Sequence, residues 1–189
     1  MYSQLFAFLS NISPLSDEIK NALSQILVKR DLPKKTLLLE EGKVSNNVYF
    51  IEKGLARAFY YKEGKEITAW FMKENNMIIS VHSFFSQNPS QENIELLEPS
   101  TLISIGFNDL QNMYKQFPEF NLFGRILTEH YYVRSEERLI SLRMQTSQER
   151  YTTMLQTYPD IFTRVSQKQI ATYLGMSPET LSRLRGKIR

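Results

Sequence analysis

The chain has 189 residues, of which 42% are hydrophobic and 12% aromatic, and its 23 basic and 20 acidic side chains give a formal net charge of +3. This composition excludes a disordered chain and leaves enough apolar residues to bury a core. The absence of cysteine excludes disulfides, thiolate zinc sites and cysteine-ligated iron–sulfur clusters, so redox sensing by such a cluster is out. No apolar run approaches the ~18 residues that cross a bilayer, and the N-terminal Met1-Tyr-Ser-Gln-Leu-Phe-Ala-Phe-Leu9 lacks the positive flank of a secretory signal. A cytoplasmic protein with no membrane partner is expected.

Leu5, Phe6, Phe8 and Leu9, and the segment Leu15 to Lys29, read as helical, with Ser16 as a cap and Ile19, Leu23, Ile26 and Leu27 on one face. Pro33 ends that region. From Thr36 the pattern changes to short apolar runs, Thr36–Leu39, Val48–Ile51, Ala56–Tyr61 and Glu66–Phe71, punctuated by Gly42, Gly54 and Gly64. Met77–Ile79, Asn93–Leu97 and Thr101–Ile105 continue it, and roughly eight such strands with glycine corners predict an antiparallel jelly roll. Asn108 is placed to cap a short helix through Tyr114, which Pro118 closes. From Glu119 to Gln145 there is no proline and only Gly124, which predicts a helix about 40 Å long. Along it Leu122, Ile126, Glu129, Val133, Glu136 and Ile140 alternate four- and three-residue spacings, widened by Phe123, Leu127, Leu139 and Leu142. That stripe suits a seam against a second copy, against the small domain, or against its own sheet.

Thr146 and Glu149 form a capping box that opens a further helix through about Tyr158, and Pro159-Asp160 leads into the last segment. There Ser166 caps a helix with Gln169 reaching back, and Val165 is set to pack on Ile170. Gly175 stops it, because the residue after a helix often needs positive φ. Ser177 caps a second helix with Pro178 at its first position, and Met176 is set to pack on Leu181. Two capped helices around so short a turn read as a helix-turn-helix with Ile170, Ala171, Leu174, Leu181 and Leu184 as the shared seam. Ser177, Pro178, Glu179, Ser182, Arg183 and Gly186 are left on the outer face. From Ile161 onward six of the basic residues (Arg164, Lys168, Arg183, Arg185, Lys187, Arg189) face one acid, Glu179, a net of +5 against −2 for the rest of the chain. A module of this sign suits the phosphate backbone and guanine edges of DNA, while an ordinary helical hairpin with a solvated basic face is the bland alternative.

A leading helix, a β-roll, one long helix and a terminal helix-turn-helix resemble the Crp–Fnr superfamily of bacterial transcription regulators, and the resemblance covers the whole chain. Its most specific part is Ile170-Ala-Thr-Tyr-Leu-Gly-Met-Ser-Pro-Glu-Thr-Leu-Ser-Arg183, supported by Gly42, Gly54 and Lys53-Gly-Leu-Ala-Arg57. It implies an α+β chain: a cyclic-nucleotide-binding-like β-roll over 1–118, a connecting and dimerising helix over 119–145, and an all-α helix-turn-helix domain over 146–189. Glu179 stands where the family places an acid that accepts from cytosine, and Arg183 where an Arg reads guanine. Ser166, Gln167, Lys168, Ser177 and Thr180 are similar in position to phosphate-contacting groups. Pro178 replaces a frequent base reader. The sequence also stops at Arg189, which leaves no room for a full β-wing, with Lys187 and Arg189 as partial substitutes.

In cyclic-nucleotide-binding relatives a cassette offers a Gly-Glu pair to the ribose and an Arg to the phosphate, since a buried phosphate charge needs a partner. Here that stretch runs from Met77 to Glu95 with no Arg or Lys; Ile79 and Ser80 replace the Gly-Glu pair, and Gln91 and Glu92 fall near the phosphate position. Cyclic AMP is therefore not the expected ligand in the usual manner. Ile79, Ser80, Val81, His82, Gln91, Glu92 and Arg134 are the candidates for a different effector pocket, or for none. His82 lies where some relatives carry a haem ligand, but a lone His does not supply two axial groups, and haem is not expected. The expected partners are double-stranded DNA, a second copy, RNA polymerase and an unidentified small-molecule effector. A ligand-sensing β-roll whose C-terminal module acts through protein contacts is the alternative. No Cys–His or Ser–His–Asp arrangement, metal-spaced His cluster or phosphate-cradling glycine loop points to an enzyme.

Overall fold

The computed structural model describes residues 2–187, and side chains over 2–186. Two short helices come first, α1 (Ser3–Ser10) and α2 (Asp17–Ile26). Ser16 caps α2 by accepting the Ile19 amide at 3.2 Å, and Asp17 and Glu18 occupy the first turn, where negative charge favours the helix dipole. The helix expected to run to Lys29 stops earlier. Leu27 is extended, and Val28–Leu32 form β1 instead, with Val28, Lys29, Arg30 and Asp31 all exposed. An edge strand without a buried face carries no alternation to betray it.

Seven further strands follow: β2 (Leu37–Leu39), β3 (Asn47–Lys53), β4 (Ala56–Lys62), β5 (Lys65–Met72), β6 (Met77–Ile78), β7 (Asn93–Leu96) and β8 (Ser100–Gly106). They make two antiparallel four-stranded sheets, in the orders β1-β8-β3-β6 and β2-β7-β4-β5, which is the expected jelly roll. Ile51, Ala56, Ala58, Ile78, Ile94, Leu96 and Leu102 fill the space between the sheets. The glycine corner at Gly54 is obligatory. Its φ is +114°, and a Cβ there would sit 2.9 Å from the Ser100 Cα and 2.1 Å from its Oγ.

A short helix, α3 (Val81–Ser86), interrupts the roll, and α4 (Phe107–Gln116) leaves it. Asn108 does not cap α4; Gly106 precedes the helix and no side chain caps it. A 3-10 turn at Pro118–Phe120 then leads into α5 (Asn121–Met144), whose 24 residues span about 36 Å. The first half of α5 is anchored, with Phe123 buried and Leu127 packed in a cluster with Leu5, Leu23, Phe50, Ile105 and Phe120. Its second half leaves Tyr132, Val133, Leu139, Ile140 and Met144 exposed. No helix among the described residues is long and apolar enough to cross a membrane.

Beyond α5 come α6 (Ser147–Thr157), α7 (Ile161–Arg164), α8 (Gln167–Tyr173) and α9 (Pro178–Lys187). The capping box of Thr146 and Glu149 opens α6 as expected. These helices form one core with the roll: Leu55, Phe71 and Leu97 share a buried cluster with Tyr158, Ile161, Ile170, Tyr173, Leu174 and Leu181. Apolar surface removed from water on both sides holds them together. The Tyr158 hydroxyl donates to the Phe71 carbonyl at 2.9 Å, so the buried polar tip is satisfied as well.

Candidate nucleic-acid interface

The helix-turn-helix is built by its caps. Ser166 Oγ accepts the Gln169 amide at 3.3 Å, and the Gln169 side chain reaches back to the Ser166 amide at 3.3 Å, a reciprocal box. Gly175 leaves the helix at φ +64°, which only glycine adopts readily, and Ser177 Oγ accepts the Thr180 amide at 3.2 Å to open α9. Ile170, Ala171, Leu174 and Leu181 are buried between the two helices, as the spacing predicts.

On the outer side Ser166, Lys168, Ser177, Glu179 and Arg183 are exposed, and Gln167 and Thr180 are half-buried. Gln167 Nε2 donates to the Pro178 carbonyl at 3.4 Å, which braces one helix against the start of the other. Arg183 Nη2 donates to Thr180 Oγ1 at 3.3 Å, holding the guanidinium along α9. A hydrogen bond from Ser177 and another within the backbone keep the Glu179 carboxyl below its usual range, so it is charged at neutral pH. An acceptor and a forked donor one helical turn apart on an exposed face can meet cytosine and guanine edges.

The basic patch is smaller than its count. Arg164 points away from that face into an ion cluster with Glu74 and Glu98 of the roll, at 2.8 and 2.6 Å, and with Asp160 at 3.1 Å. Arg185 lies over the Phe162 ring, 4.5 Å from its centre. Lys168 and Arg183 are left as the exposed cations of the described face. The substitution of Lys187 and Arg189 for a wing falls outside the described side chains.

Contacts that sequence spacing does not reveal fasten this module. Thr172 Oγ1 accepts the Thr68 amide at 3.2 Å and lies 3.2 Å from the Thr68 hydroxyl, so α8 sits against β5. Thr68 touches Arg57, which is buried and paired with Glu95 at 2.6 Å and with Glu66. At the other end of α8, Arg138 donates to the Tyr173 carbonyl and stacks 3.8 Å from that ring's centre, and Arg150 donates to the Leu174 carbonyl at 2.7 Å. Cations at helix C-terminal carbonyls satisfy otherwise open acceptors and oppose the helix dipole favourably.

The effector candidates divide. Ser80 is buried 3.4 Å from Ser90 Oγ, and Glu92 lies against Ser80 and Tyr60. Burial pushes the Glu92 carboxyl above its usual range, more than those hydrogen bonds lower it, and burial with the Glu92 charge pushes the Tyr60 phenol up to about 12. Asn93 accepts the Glu41 amide at 3.0 Å and leaves its buried Nδ2 without a protein partner. Val81, His82 and Gln91 are exposed, and Ile79 faces two cavities, one inside the roll and one beneath α3. Arg134 is not brought to this group; it lines a crevice between α5 and α6. The cassette sets the half-buried Glu92 carboxyl here and carries no Arg or Lys from Met77 to Glu95.

A family model described as the cyclic nucleotide-binding domain matches residues 29–117. No curated protein matches the chain. Among solved structures, the c-di-GMP-responsive global regulator CLP of Xanthomonas campestris is 13% identical with a TM-score of 0.72, covering 92% of this chain and 91% of its own. FixK2 of Bradyrhizobium japonicum is 17% identical with a TM-score of 0.72, over 86% of this chain and 84% of its own. A Crp/Fnr-family transcriptional regulator of Eubacterium rectale is 16% identical with a TM-score of 0.72, over 92% and 85%. Residues 29–117 thus match the cyclic nucleotide-binding domain model, and the chain as a whole shares the fold of these Crp–Fnr regulators.

Proposed function

We propose that this chain is a cytoplasmic, homodimeric transcription regulator that binds double-stranded DNA through α8 and α9 and does not take a cyclic nucleotide in the usual manner. In this reading residues 1–118 form the sensor-type roll, 119–145 the dimerising helix and 146–189 the DNA-binding domain. The observation that carries it is the exposed pair Glu179 and Arg183 at the open face of a helix-turn-helix whose two helices are N-capped by Ser166 and Ser177. Ser166, Gln167, Lys168, Ser177 and Thr180 surround that pair and supply the register on the phosphates. Two copies joined through α5 would set their α9 helices about 34 Å apart, in successive major grooves of a near-palindromic site.

Arg183→Ala is expected to lose about 1–3 kcal/mol of discrimination at one base position, while binding to random duplex changes little. Competition binding against single-base variants of a selected site measures it. Equal losses on specific and random DNA would remove the base-reading role from Arg183. A flat salt dependence of duplex binding would remove the DNA reading itself and favour a module that acts through protein contacts.

A further inference from the structure

The cations that the roll's cassette lacks are gathered elsewhere. Along α5, His130, Arg134 and Arg138 follow at four-residue intervals and share one face. That face looks into a crevice between α5, the β5–β6 corner of the roll and the end of α6. Its wider part, about 440 Å³, is lined by Lys73, His130, Arg134, Glu137 and Tyr158. A narrower part, about 120 Å³, continues from Arg134 to Trp70, Arg138, Arg150 and Tyr173. Glu137 is the single carboxylate lining either part among the described residues.

Glu137 apart, these charges have no carboxylate beside them in the crevice among the described residues. Among the described residues Arg134, Arg138 and Arg150 make no ion pair, and the hydrogen bonds of the latter two include neutral carbonyls: Tyr173 for Arg138, and Leu174 and Gln145 for Arg150. Lys73 Nζ likewise donates to the Thr157 carbonyl at 3.1 Å. Burial, joined by the Arg150 charge, holds the Arg138 guanidinium below its ordinary value. A guanidinium offers five donors, and Arg138 spends only Nη2 on the protein, which leaves an edge open to a ligand. Clustered cations in a partly desolvated crevice repel one another until an anion pairs them, and forked guanidiniums match phosphate oxygens.

We propose that this crevice binds a small phosphate-bearing anion, held by Arg134 and Arg138 of α5 with Lys73 of the roll. Duplex DNA is not the anion. Ser166 to Lys168 stand at the start of α8, whereas Arg138 and Arg150 meet its last carbonyls, about 10 Å along the helix and against the roll. Because the walls come from the roll, α5 and α6, the bound anion ties all three together. The site stands whether or not the chain binds DNA.

Trp70 is the only tryptophan of the chain and lines the crevice, so its emission reports on the site. Titration of the full chain with inorganic pyrophosphate, without DNA, should give a saturable change that sodium chloride at equal ionic strength does not reproduce. Arg134→Ala should weaken the apparent affinity about tenfold or more and Arg134→Lys less, since one removes and the other keeps the charge. Lys73→Ala, from the opposite wall, should weaken it severalfold, and an unchanged circular-dichroism spectrum shows that each variant folds. No saturable response, an equal response to chloride, or an unchanged midpoint in both alanine variants overturns the proposal.

Discussion

Within Lys53-Gly-Leu-Ala-Arg57, two residues do different physical work. Gly54 takes the backbone through φ +114° directly against Ser100, where a methyl group has no space. Gly54→Ala should therefore cost about 2 kcal/mol or more of folding stability, read as a lowered urea midpoint with an unchanged slope. Arg57 instead ties three neighbouring strands of one sheet, β7, β4 and β5, its buried guanidinium satisfied by Glu95 and Glu66 and stacked 4.1 Å from the centre of Phe59. Its worth lies in being fully paired, because a buried charge that lost those partners would be left uncompensated. The same rule, applied to the half-buried Glu92 beside Ser80 and Tyr60 in a stretch without Arg or Lys, supports the proposal that this cassette disfavours an anionic guest.

Among the elements, the junction of α7 with the roll is expected to be acid-sensitive. Burial raises the Glu74 carboxyl, but hydrogen bonds from Arg164 and the backbone outweigh it and leave the group below its usual range. The hydrogen bond to Glu98, with those to Glu74, holds Arg164 firmly protonated despite partial burial. A carboxyl lowered in the folded state stabilises fully above the ordinary glutamate range, about pH 4.3, and that contribution is lost as pH falls through the lowered value. The C-terminal helices should accordingly loosen from the roll below about pH 4, followed by Trp70 emission, and Arg164→Gln should flatten that acid limb. Wild type and variant loosening in parallel would place the acid sensitivity elsewhere. Sequence alone made the caps of α6, α8 and α9 legible, because Thr146, Ser166 and Ser177 act on amides three residues away. It also showed seven of the eight strands, whose apolar runs and glycine corners are local signals. It did not show β1, which buries too little to alternate, nor the ion cluster that withdraws Arg164 from the outer face, since its partners Glu74 and Glu98 are distant in the chain. Charge counted along a segment says nothing about which face the charge will occupy.

For the whole molecule, the exposed half of α5 is the seam of the proposed dimer. Val133 and Ile140 are 54% and 57% exposed and lie seven residues apart, as do Tyr132 and Leu139, so the free apolar stripe keeps a heptad period. Ile140→Glu would set like charges against each other across a two-fold seam, at a cost of several kcal/mol, and should convert the dimer to monomer in sedimentation equilibrium. A wild-type chain that sediments as a monomer would remove α5 as the seam. The fastening of α8 to β5 through Thr172 and Thr68 has a further effect in such a dimer. Each DNA reader is an outrigger of its own roll, with little freedom to adjust alone. Over the ~36 Å of α5, one degree of change in the crossing of the two helices carries the far end about 0.6 Å. Ten degrees displaces it by about 6 Å, nearly two base-pair steps at 3.4 Å each. In the proposed dimer such a chain would signal through pitch: the two readers would keep their grip and lose their spacing.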